Sequence, residues 1–209
     1  LVFTDRTLLA APWFPFPLSD ERRSGVLAPT FSVNSRTGVE LMVPYYWNMA
    51  PNRDFTFYPR LMQRRGVQLG GQLRFLEPRT AGDLRFEYNP NDTQTGTNRW
   101  QASLQQSFAG IGGWGGAVNW RGVSDDDYFV DYSRSILASS ERSLPREILA
   151  TRTLGDWNLL VRSSRFQNIL EARQSPPYER VPQVNATWAR NDLRGFDAEV
   201  LLDATMFTR

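Results

Sequence analysis

The sequence predicts an all-β fold, namely part of an antiparallel transmembrane β-barrel. Two observations support this prediction. Apolar and polar residues alternate with a period of two along most of the chain, which is the periodicity of strands whose two faces differ. In addition, the connections between predicted strands are uniformly tight on one rim of the sheet, while the other rim holds every long loop. This segregation of loop lengths is typical of outer-membrane barrels.

The predicted strands follow one another as a meander. Leu84, Phe86 and Tyr88 alternate with Arg85 and Glu87, and similar alternation recurs in the other segments. The eleven predicted strands lie near residues 26–34, 38–46, 52–62, 67–77, 82–89, 98–108, 114–121, 147–155, 157–171, 180–190 and 195–207. The tight connections are expected at 47–51, 78–81, 109–113, 156 and 191–194, and the other rim is expected to hold 35–37, 63–66, 90–97, 122–146 and 172–179.

A different pattern occupies the N-terminal residues 1–17. Prolines recur between Pro12 and Pro17 and remove ladder donors, so we expect an edge strand or a chain that leaves a sheet. Residues 18–25 (LSDERRSG) form a charged linker that ends in glycine, and the meander occupies residues 26–209. Because the chain opens on Leu-Val-Phe rather than on methionine, we interpret it as an internal segment of a longer protein.

The composition excludes several classes of site. The 209 residues contain no cysteine and no histidine, so neither a disulfide nor a Cys/His metal site is expected. Ser-His and Cys-His nucleophile chemistry is excluded for the same reason, and we predict that the chain is not an enzyme and has no cofactor. Lys and Arg number 24 against 22 Asp and Glu, and the basic residues are spread along the strands. No nucleic-acid partner is therefore expected.

The residue types on the two faces favour a barrel with a hydrated interior. Arg74, Arg85 and Arg162 lie mid-strand on the less apolar face. Tryptophan and tyrosine are concentrated near strand ends, as in the aromatic girdles of membrane proteins, although core positions would also suit them. Alternation alone is equally compatible with a soluble carbohydrate-binding β-sandwich, and a generic outer-membrane porin or enzyme barrel is a further alternative.

Several motifs resemble those of one protein family. PYYWNMAPNRD at 44–54 and PRLMQRRGVQLGGQLRFL at 59–76 are similar to the LptD (OstA/Imp) family, the lipopolysaccharide-assembly proteins of the outer membrane. EYNPND at 87–92 and SDDDYFVDY at 124–132 follow in the matching order and also resemble the early barrel of that family.

The resemblance implies both an architecture and a function. Residues 1–17 would end a periplasmic β-jellyroll, and residues 26–209 would form the first ten or eleven strands of a very large barrel in the bacterial outer membrane. The implied function is transport of lipopolysaccharide and its insertion into the outer leaflet through a lateral gate between the first and last strands. The implied partners are lipopolysaccharide, an LptE-like lipoprotein plug, a periplasmic LptA-like bridge and outer-membrane lipid.

Two groups of residues are candidates for this function. Pro29 and Pro44 lie in the first two predicted barrel strands and match the gate prolines of the family. Each removes a backbone N–H from a ladder, which would weaken a seam that has to part, although ordinary strand-end prolines are the alternative. Trp13, Phe14 and Phe16 would line an apolar path from the jellyroll to the barrel, and plain jellyroll core is the alternative interpretation.

The longest connection contains three consecutive carboxylates, Asp125, Asp126 and Asp127. The spacing of a calcium-binding loop does not follow them. We therefore expect a solvated acidic loop and no metal site.

Overall fold

The computed structural model describes residues 2–3, 6–7, 22–132, 143–169, 178–193 and 195–208, and these residues confirm the all-β prediction. The strands are β1 (Val2–Phe3), β2 (Arg6–Thr7), β3 (Gly25–Val26), β4 (Thr30–Asn34), β5 (Gly38–Met42), β6 (Tyr45–Ala50), β7 (Arg53–Phe57), β8 (Arg60–Met62), β9 (Gly66–Glu77), β10 (Thr80–Asn89), β11 (Arg99–Ile111), β12 (Trp114–Val123), β13 (Ser143–Leu154), β14 (Trp157–Asn168), β15 (Glu179–Leu193) and β16 (Phe196–Thr208). One helix, α1 (Tyr128–Tyr132), lies in the described part of the connection between β12 and β13.

Fourteen of the strands form one antiparallel sheet, and β1 and β2 form a separate pair. From β9 to β16, each strand pairs with the next one along the chain. At its other side β9 carries two branches, because β8 pairs with its first residues and β7 pairs with its later residues. One branch continues from β7 to β6 and β3, and the other continues from β8 to β5 and β4.

The two branches are the two halves of three interrupted strands. The interruptions separate β3 from β4, β5 from β6 and β7 from β8, and each contains a proline: Pro29, Pro44 and Pro59. They lie at the same level of the sheet, because the N–H of Leu27 donates to the carbonyl of Pro44 at 2.8 Å and that of Val43 donates to the carbonyl of Pro59 at 3.4 Å. We call this line of three prolines the proline crease.

The crease corrects one detail of the sequence prediction. Residues 26–34, 38–46 and 52–62 were each expected to form one unbroken strand, and each is broken instead. Proline has a fixed φ and no N–H, so a ladder that reaches it loses a bond. With the three interrupted strands counted once each, the described residues form the eleven predicted passes of the meander.

Strand β9 runs through the level of the crease without a break. It does so with two glycines, Gly70 and Gly71, and the N–H of Tyr58 donates to the carbonyl of Gly70 at 2.9 Å. A Cβ atom on Gly70 would lie 2.0 Å from the Cε2 atom of Tyr58, so the aromatic ring occupies the space that any side chain would need. The two glycines therefore let the ring lie flat against the one strand that joins both branches to the rest of the sheet.

The two faces of the sheet differ in polarity from edge to edge. Residues opposite each other on neighbouring strands share a face, so one apolar row runs through Leu41, Leu61 and Val67. Phe31 and Val33, on the same face, are 68% and 73% exposed. The face also presents exposed apolar side chains at Trp47, Phe86, Ile148, Val161, Val184, Val200 and Leu202.

The opposite face is polar, as the sequence predicts for Arg74, Arg85 and Arg162. Glu40, Arg60, Gln68, Gln72, Glu87, Asn119, Glu147, Asn185 and Asp203 share that face. A soluble sandwich would bury the apolar face beneath a second sheet. In the described residues that face is exposed instead, which argues against the sandwich alternative.

The buried apolar residues of the described chain form one small cluster around α1 rather than a core between layers. It consists of Met62, Val123, Tyr128, Phe129, Tyr132, Leu144 and Ile169. Within the described residues, no helix combines the length and the apolar character needed to cross a membrane.

The connections confirm the predicted segregation of loop lengths. On one rim, strands are joined through residues 51–52, 78–79, 112–113, 155–156 and 194–195. The other rim holds the longest connections, at 90–98, 124–142 and 169–178. Helix α1 belongs to the long-loop rim and packs against the polar face.

Candidate functional site

The edge strand β3 is held to its neighbour by few backbone bonds. Its register with β6 comprises two residue pairs, Gly25 with Tyr46 and Val26 with Tyr45. The next residue, Leu27, donates its N–H to the carbonyl of Pro44, and in an antiparallel ladder such a pair normally exchanges two bonds. Proline has no N–H, so the return bond to Leu27 cannot form.

Pro29 stands at the open edge of the sheet. The register that pairs Thr30 with Met42 places Pro29 opposite Val43. The N–H of Val43 is turned away from Pro29, because it donates to Pro59 on the other side. The backbone nitrogen of Pro29 therefore points outward from β4, where a further strand would have to find its donors. Both predicted gate prolines therefore lie at one edge of the sheet. Pro44 pairs with Leu27 inside the ladder, and Pro29 adjoins β4, the outermost strand of its branch.

The PYYWNMAPNRD motif anchors the chain as it enters this edge. The side-chain amide of Asn48 donates to the carbonyl of Arg22 at 2.8 Å, and the backbone N–H of Asn48 donates to the hydroxyl of Ser24 at 2.9 Å. Asp54, which is buried, pairs with Arg22 at 3.5 Å and with Arg74 at 2.7 Å. The sequence analysis did not assign these roles, although a polar Asn and Asp inside an aromatic strand segment are a signal for such contacts.

A buried ion pair connects the branch β8–β5–β4 to α1. Arg60 of β8 donates to both carboxylate oxygens of Glu40 on β5, at 2.7 and 3.0 Å. The same guanidinium donates to Gln68 and to the carbonyl of Tyr132, each at 3.2 Å. Arg36 adds a bond to the carbonyl of Val130. The branch β4–β5–β8 is thus held through β9 on one side and through α1 above its polar face.

A second buried cluster fixes the loop after β12 to the start of β11. Asp92 is 0% exposed and accepts from Arg65 at 2.6 Å and from Arg99 at 3.3 Å. Arg65 also pairs with Asp131 at 2.8 Å, and Arg99 reaches both Asp131 and Asp125. Two arginines and three carboxylates therefore share one site, which a buried charge requires if its desolvation is to be offset.

The titration of this cluster follows from its geometry. Burial alone would raise the pKa of Asp92, but bonds from the backbone of Gln94, the hydroxyl of Tyr132 and the guanidinium of Arg65 hold that pKa below its usual value. The pKa of Asp125 is lowered in the same way, with Arg99 opposing burial. Burial together with the neighbouring Asp92 raises the pKa of Tyr132 to about 12.

The acidic loop was expected to be solvated, and this expectation holds for Asp126 and Asp127, which are exposed, but not for Asp125. The expected loop also contains a helix. Tyr128 and Tyr132 of α1 stack with ring centroids 4.8 Å apart. Aromatic residues one helical turn apart within an otherwise polar connection were the available signal for this helix.

A cavity of about 560 Å³ lies on the polar face between α1 and the crease. Tyr128, Phe129 and Tyr132 of the helix form one wall. The strands contribute arginine, glutamine and glutamate side chains. Pro44 of the crease and its partner Leu27 also line the cavity. Tyr128 is held in place because its hydroxyl donates to Glu87 at 2.9 Å and accepts from Gln68 at 2.8 Å.

Two further expectations concern the apolar path near the N-terminus and the metal site. Trp13, Phe14 and Phe16 lie outside the described residues, as does most of the segment 1–25 to which the jellyroll end and the linker were assigned. In the part of the chain that the structure describes, no group of three or more carboxylates is arranged to hold a metal ion.

Comparison with known proteins adds an independent observation. The family model described as LPS transport system D, LptD, matches residues 97–209. The LPS-assembly protein LptD of Ralstonia nicotianae is 44% identical over 210 residues, covering 100% of this chain and 26% of the relative. That of Cupriavidus necator is 45% identical over 200 residues, with 96% and 24% covered. That of Albidiferax ferrireducens is 40% identical over 219 residues, with 99% and 27% covered. The chain spans about a quarter of the length of these curated relatives.

Proposed function

Because this chain belongs to the LptD family, the LPS transport system D, we propose that it forms the early strands of an outer-membrane β-barrel that assembles lipopolysaccharide. The family is described as a transport system and not as an enzyme family, and we propose the same for this chain. The observation that carries the proposal is the exposed apolar face that runs across the sheet opposite a polar face. Such a sheet is stable when lipid covers the first face and water fills the space behind the second.

The proposed exit for the lipid is a lateral gate at the edge formed by β3 and β4. A seam between the first and last strands of a barrel opens at low cost only if few ladder bonds have to break. Pro44 already lacks one bond to Leu27, and Pro29 offers no donor to a strand on its outer side. The crease supports a gate role for both prolines because it places the weak points next to each other.

The remaining partners follow from the same proposal. An LptE-like lipoprotein would occupy the lumen against the polar face. An LptA-like periplasmic bridge would deliver the lipid to the β-jellyroll, whose last part would be formed by residues 1–17. Trp13, Phe14 and Phe16 would then shield the acyl chains on the way to the gate. Photo-crosslinking of lipopolysaccharide from positions 13 and 16 in the full-length protein tests this path, and its absence at both positions would restrict these residues to a packing role.

The gate is tested by restoring the missing donors. The variants are Pro29→Val, Pro44→Val and the double variant of both, made in the full-length protein. Pro78→Ala, in the turn between β9 and β10, is the control. The added N–H groups complete the ladder, so we expect slower delivery of lipopolysaccharide to the cell surface and higher permeability to large antibiotics. Delivery equal to that of the control in the double variant would remove the gate role from both prolines.

A further inference from the structure

The branch β8–β5–β4 has a short attachment to the rest of the sheet. Strand β8 pairs with β9 over the three residues Arg60–Met62. Along the crease, Val43 donates its N–H to the carbonyl of Pro59, but Pro59 has no N–H with which to return the bond. The boundary between the two branches therefore lacks the donors of its prolines, and it is a natural place for the sheet to bend.

The register changes across the crease in the first pass of the meander. Val26 lies opposite Tyr45 on one side of the crease, and Thr30 lies opposite Met42 on the other. Between these pairs, three residues of the first pass face two of the second, which is the count of a β-bulge. A bulge bends its strand and interrupts the pairing, so the outermost pass is the least constrained at the crease.

The half-strands of this branch are bound to one another at the long-loop rim. The N–H of Gln63 donates to the carbonyl of Val39 at 2.9 Å. The N–H of Arg64 donates to the carbonyl of Thr37 at 3.0 Å, and the side chain of Arg64 donates to the carbonyl of Ser35. The three half-strands therefore form one body, and bending is concentrated at the crease and at the short ladder with β9.

Two arginines of the branch bind the C-terminal end of α1. Arg60 donates to the carbonyl of Tyr132 at 3.2 Å, and Arg36 donates to that of Val130. The last carbonyls of a helix have no partner within the helix, and basic side chains commonly satisfy them. The helix thus holds the branch at two points, one beside Pro59 and one in the turn between β4 and β5.

The helix itself is fixed to the unbroken strands. The hydroxyl of Tyr128 donates to Glu87 of β10 at 2.9 Å, and Asp131 pairs with Arg99 of β11 at 2.5 Å. Because these contacts lie outside the branch, α1 joins a movable part of the sheet to a rigid one.

The space between α1 and the crease is not filled by side chains. The cavity of about 560 Å³ is lined by Leu27 on one side of the crease and by Met42 on the other. Bending at the crease therefore need not displace a packed core on the polar face.

We propose that α1 is a latch that holds the branch β8–β5–β4 in the closed position of the gate, with Arg60 and Arg36 as its positioning residues. The proposal rests on the proposed function, because it concerns how the gate of that barrel opens. When the two arginines leave the helix carbonyls, the branch turns about the crease as one body. The seam then opens first on the side of the long-loop rim.

The test measures the position of the branch in the full-length protein with its partners, in lipid vesicles. Genetically encoded spin-labelled amino acids replace Val33 of β4 and Ile148 of β13, which are both exposed, and pulsed electron paramagnetic resonance gives the distribution of distances between them. The reference pair is Leu84 of β10 with Val200 of β16, because both lie in unbroken strands.

The variants are Arg60→Lys, Arg36→Gln and their double variant. Lysine keeps a positive charge opposite Glu40, but its single nitrogen cannot reproduce the fork with which the guanidinium also reaches Tyr132. Arg64→Gln is the matched control, because its side chain bonds within the branch.

We expect each single variant to raise the population of displaced branch about fivefold and the double variant about 25-fold, as the loss of one or two hydrogen bonds predicts. The reference pair and the control variant should keep the wild-type distribution. A heat-modifiable gel shift of each variant shows that the barrel has folded. The same distribution for Val33 and Ile148 in the wild type and the double variant would overturn the proposal.

A second measurement separates this proposal from the proposed function. In the Pro29→Val/Pro44→Val protein, adding Arg60→Lys and Arg36→Gln should restore part of the delivery of lipopolysaccharide, because a released branch opposes the stiffer seam. If the proline variant delivers slowly and the added changes restore nothing, the latch is refuted and the gate stands. If the proline variant delivers as fast as Pro78→Ala, the gate fails and the role of the latch fails with it.

Discussion

Asp92 is the residue on which the loop structure above the polar face depends most. It has no exposed surface and receives hydrogen bonds from two arginines and from the hydroxyl of Tyr132. Removing one partner of a buried pair leaves the other charge without compensation, which costs more than the pair contributes. In Asp92→Asn the carboxylate is lost while Arg65 and Arg99 remain buried.

We therefore expect Asp92→Asn to lower the free energy of unfolding by about 3 kcal/mol. Urea-induced unfolding of the full-length protein in detergent measures this change, and proteolysis between residues 124 and 132 shows whether α1 detaches. Asp126→Asn is the control, because Asp126 is exposed and takes part in none of the ion pairs described for this cluster. A loss in the control as large as that in Asp92→Asn would contradict the explanation.

The same cluster predicts how docking of α1 depends on pH. The pKa values of Asp92 and Asp125 are lowered by folding, so their stabilisation is full above the usual aspartate pKa of about 4 and is lost as the pH falls through the folded values. The raised pKa of Tyr132 stabilises the folded state below about pH 10, and this contribution is lost as the pH rises toward 12.

Protease sensitivity of α1 should thus be lowest on a plateau between about pH 4 and 10 and should rise on both sides. In Asp92→Asn the rise in protease sensitivity on the acid side of the plateau (the acid limb) should be smaller, because one of the two responsible carboxylates no longer titrates. An unchanged acid limb in that variant would show that other groups control the loop.

At the scale of elements, local sequence accounts for the strands but not for their breaks. Period-two alternation locates the eight unbroken strands because each has one apolar and one polar face. The breaks at Pro29, Pro44 and Pro59 depend on register: three prolines become one crease only when the strands align. Helix α1 was missed because five residues give too short a period to recognise, and its position depends on buried partners in distant strands.

Gly70 offers a test of the crease as an element. In Gly70→Ala the new methyl group would lie 2.0 Å from the ring of Tyr58, so the ring or the strand must move. Overpacking of this kind costs about 1–3 kcal/mol, which unfolding of the barrel in urea would detect. Gly25→Ala is the matched control, because no atom lies within 4 Å of its added Cβ. In the double variant Gly70→Ala/Tyr58→Leu, the loss of stability caused by the alanine should be smaller. Equal losses of stability in Gly70→Ala and Gly25→Ala would refute the role of the ring.

At the scale of the whole molecule, the sequence predicts two faces but not which one meets lipid. The structure shows how the two faces differ in exposure: the apolar face is open along the sheet, while α1 and its ionic clusters cover part of the polar face. A monomer in water would rarely expose so continuous an apolar surface. We therefore expect lipid to cover the apolar face, as the proposed function requires, and the two faces should respond oppositely to an added charge.

Val161 and Leu160 are neighbours in β14 that test this claim, since Val161 lies on the apolar face and Leu160 on the polar face. In the full-length protein folded into lipid vesicles, Val161→Arg should cost about 2–4 kcal/mol, because a guanidinium near the middle of a bilayer loses its hydration. Leu160→Arg should cost much less, because its side chain shares the polar face with Arg162, and that face would line a hydrated lumen in the proposed barrel. Urea titration of both variants in vesicles gives the two values. A soluble protein would give the reverse order or no difference, since Val161 is exposed, and either result would contradict the assignment of the apolar face to lipid.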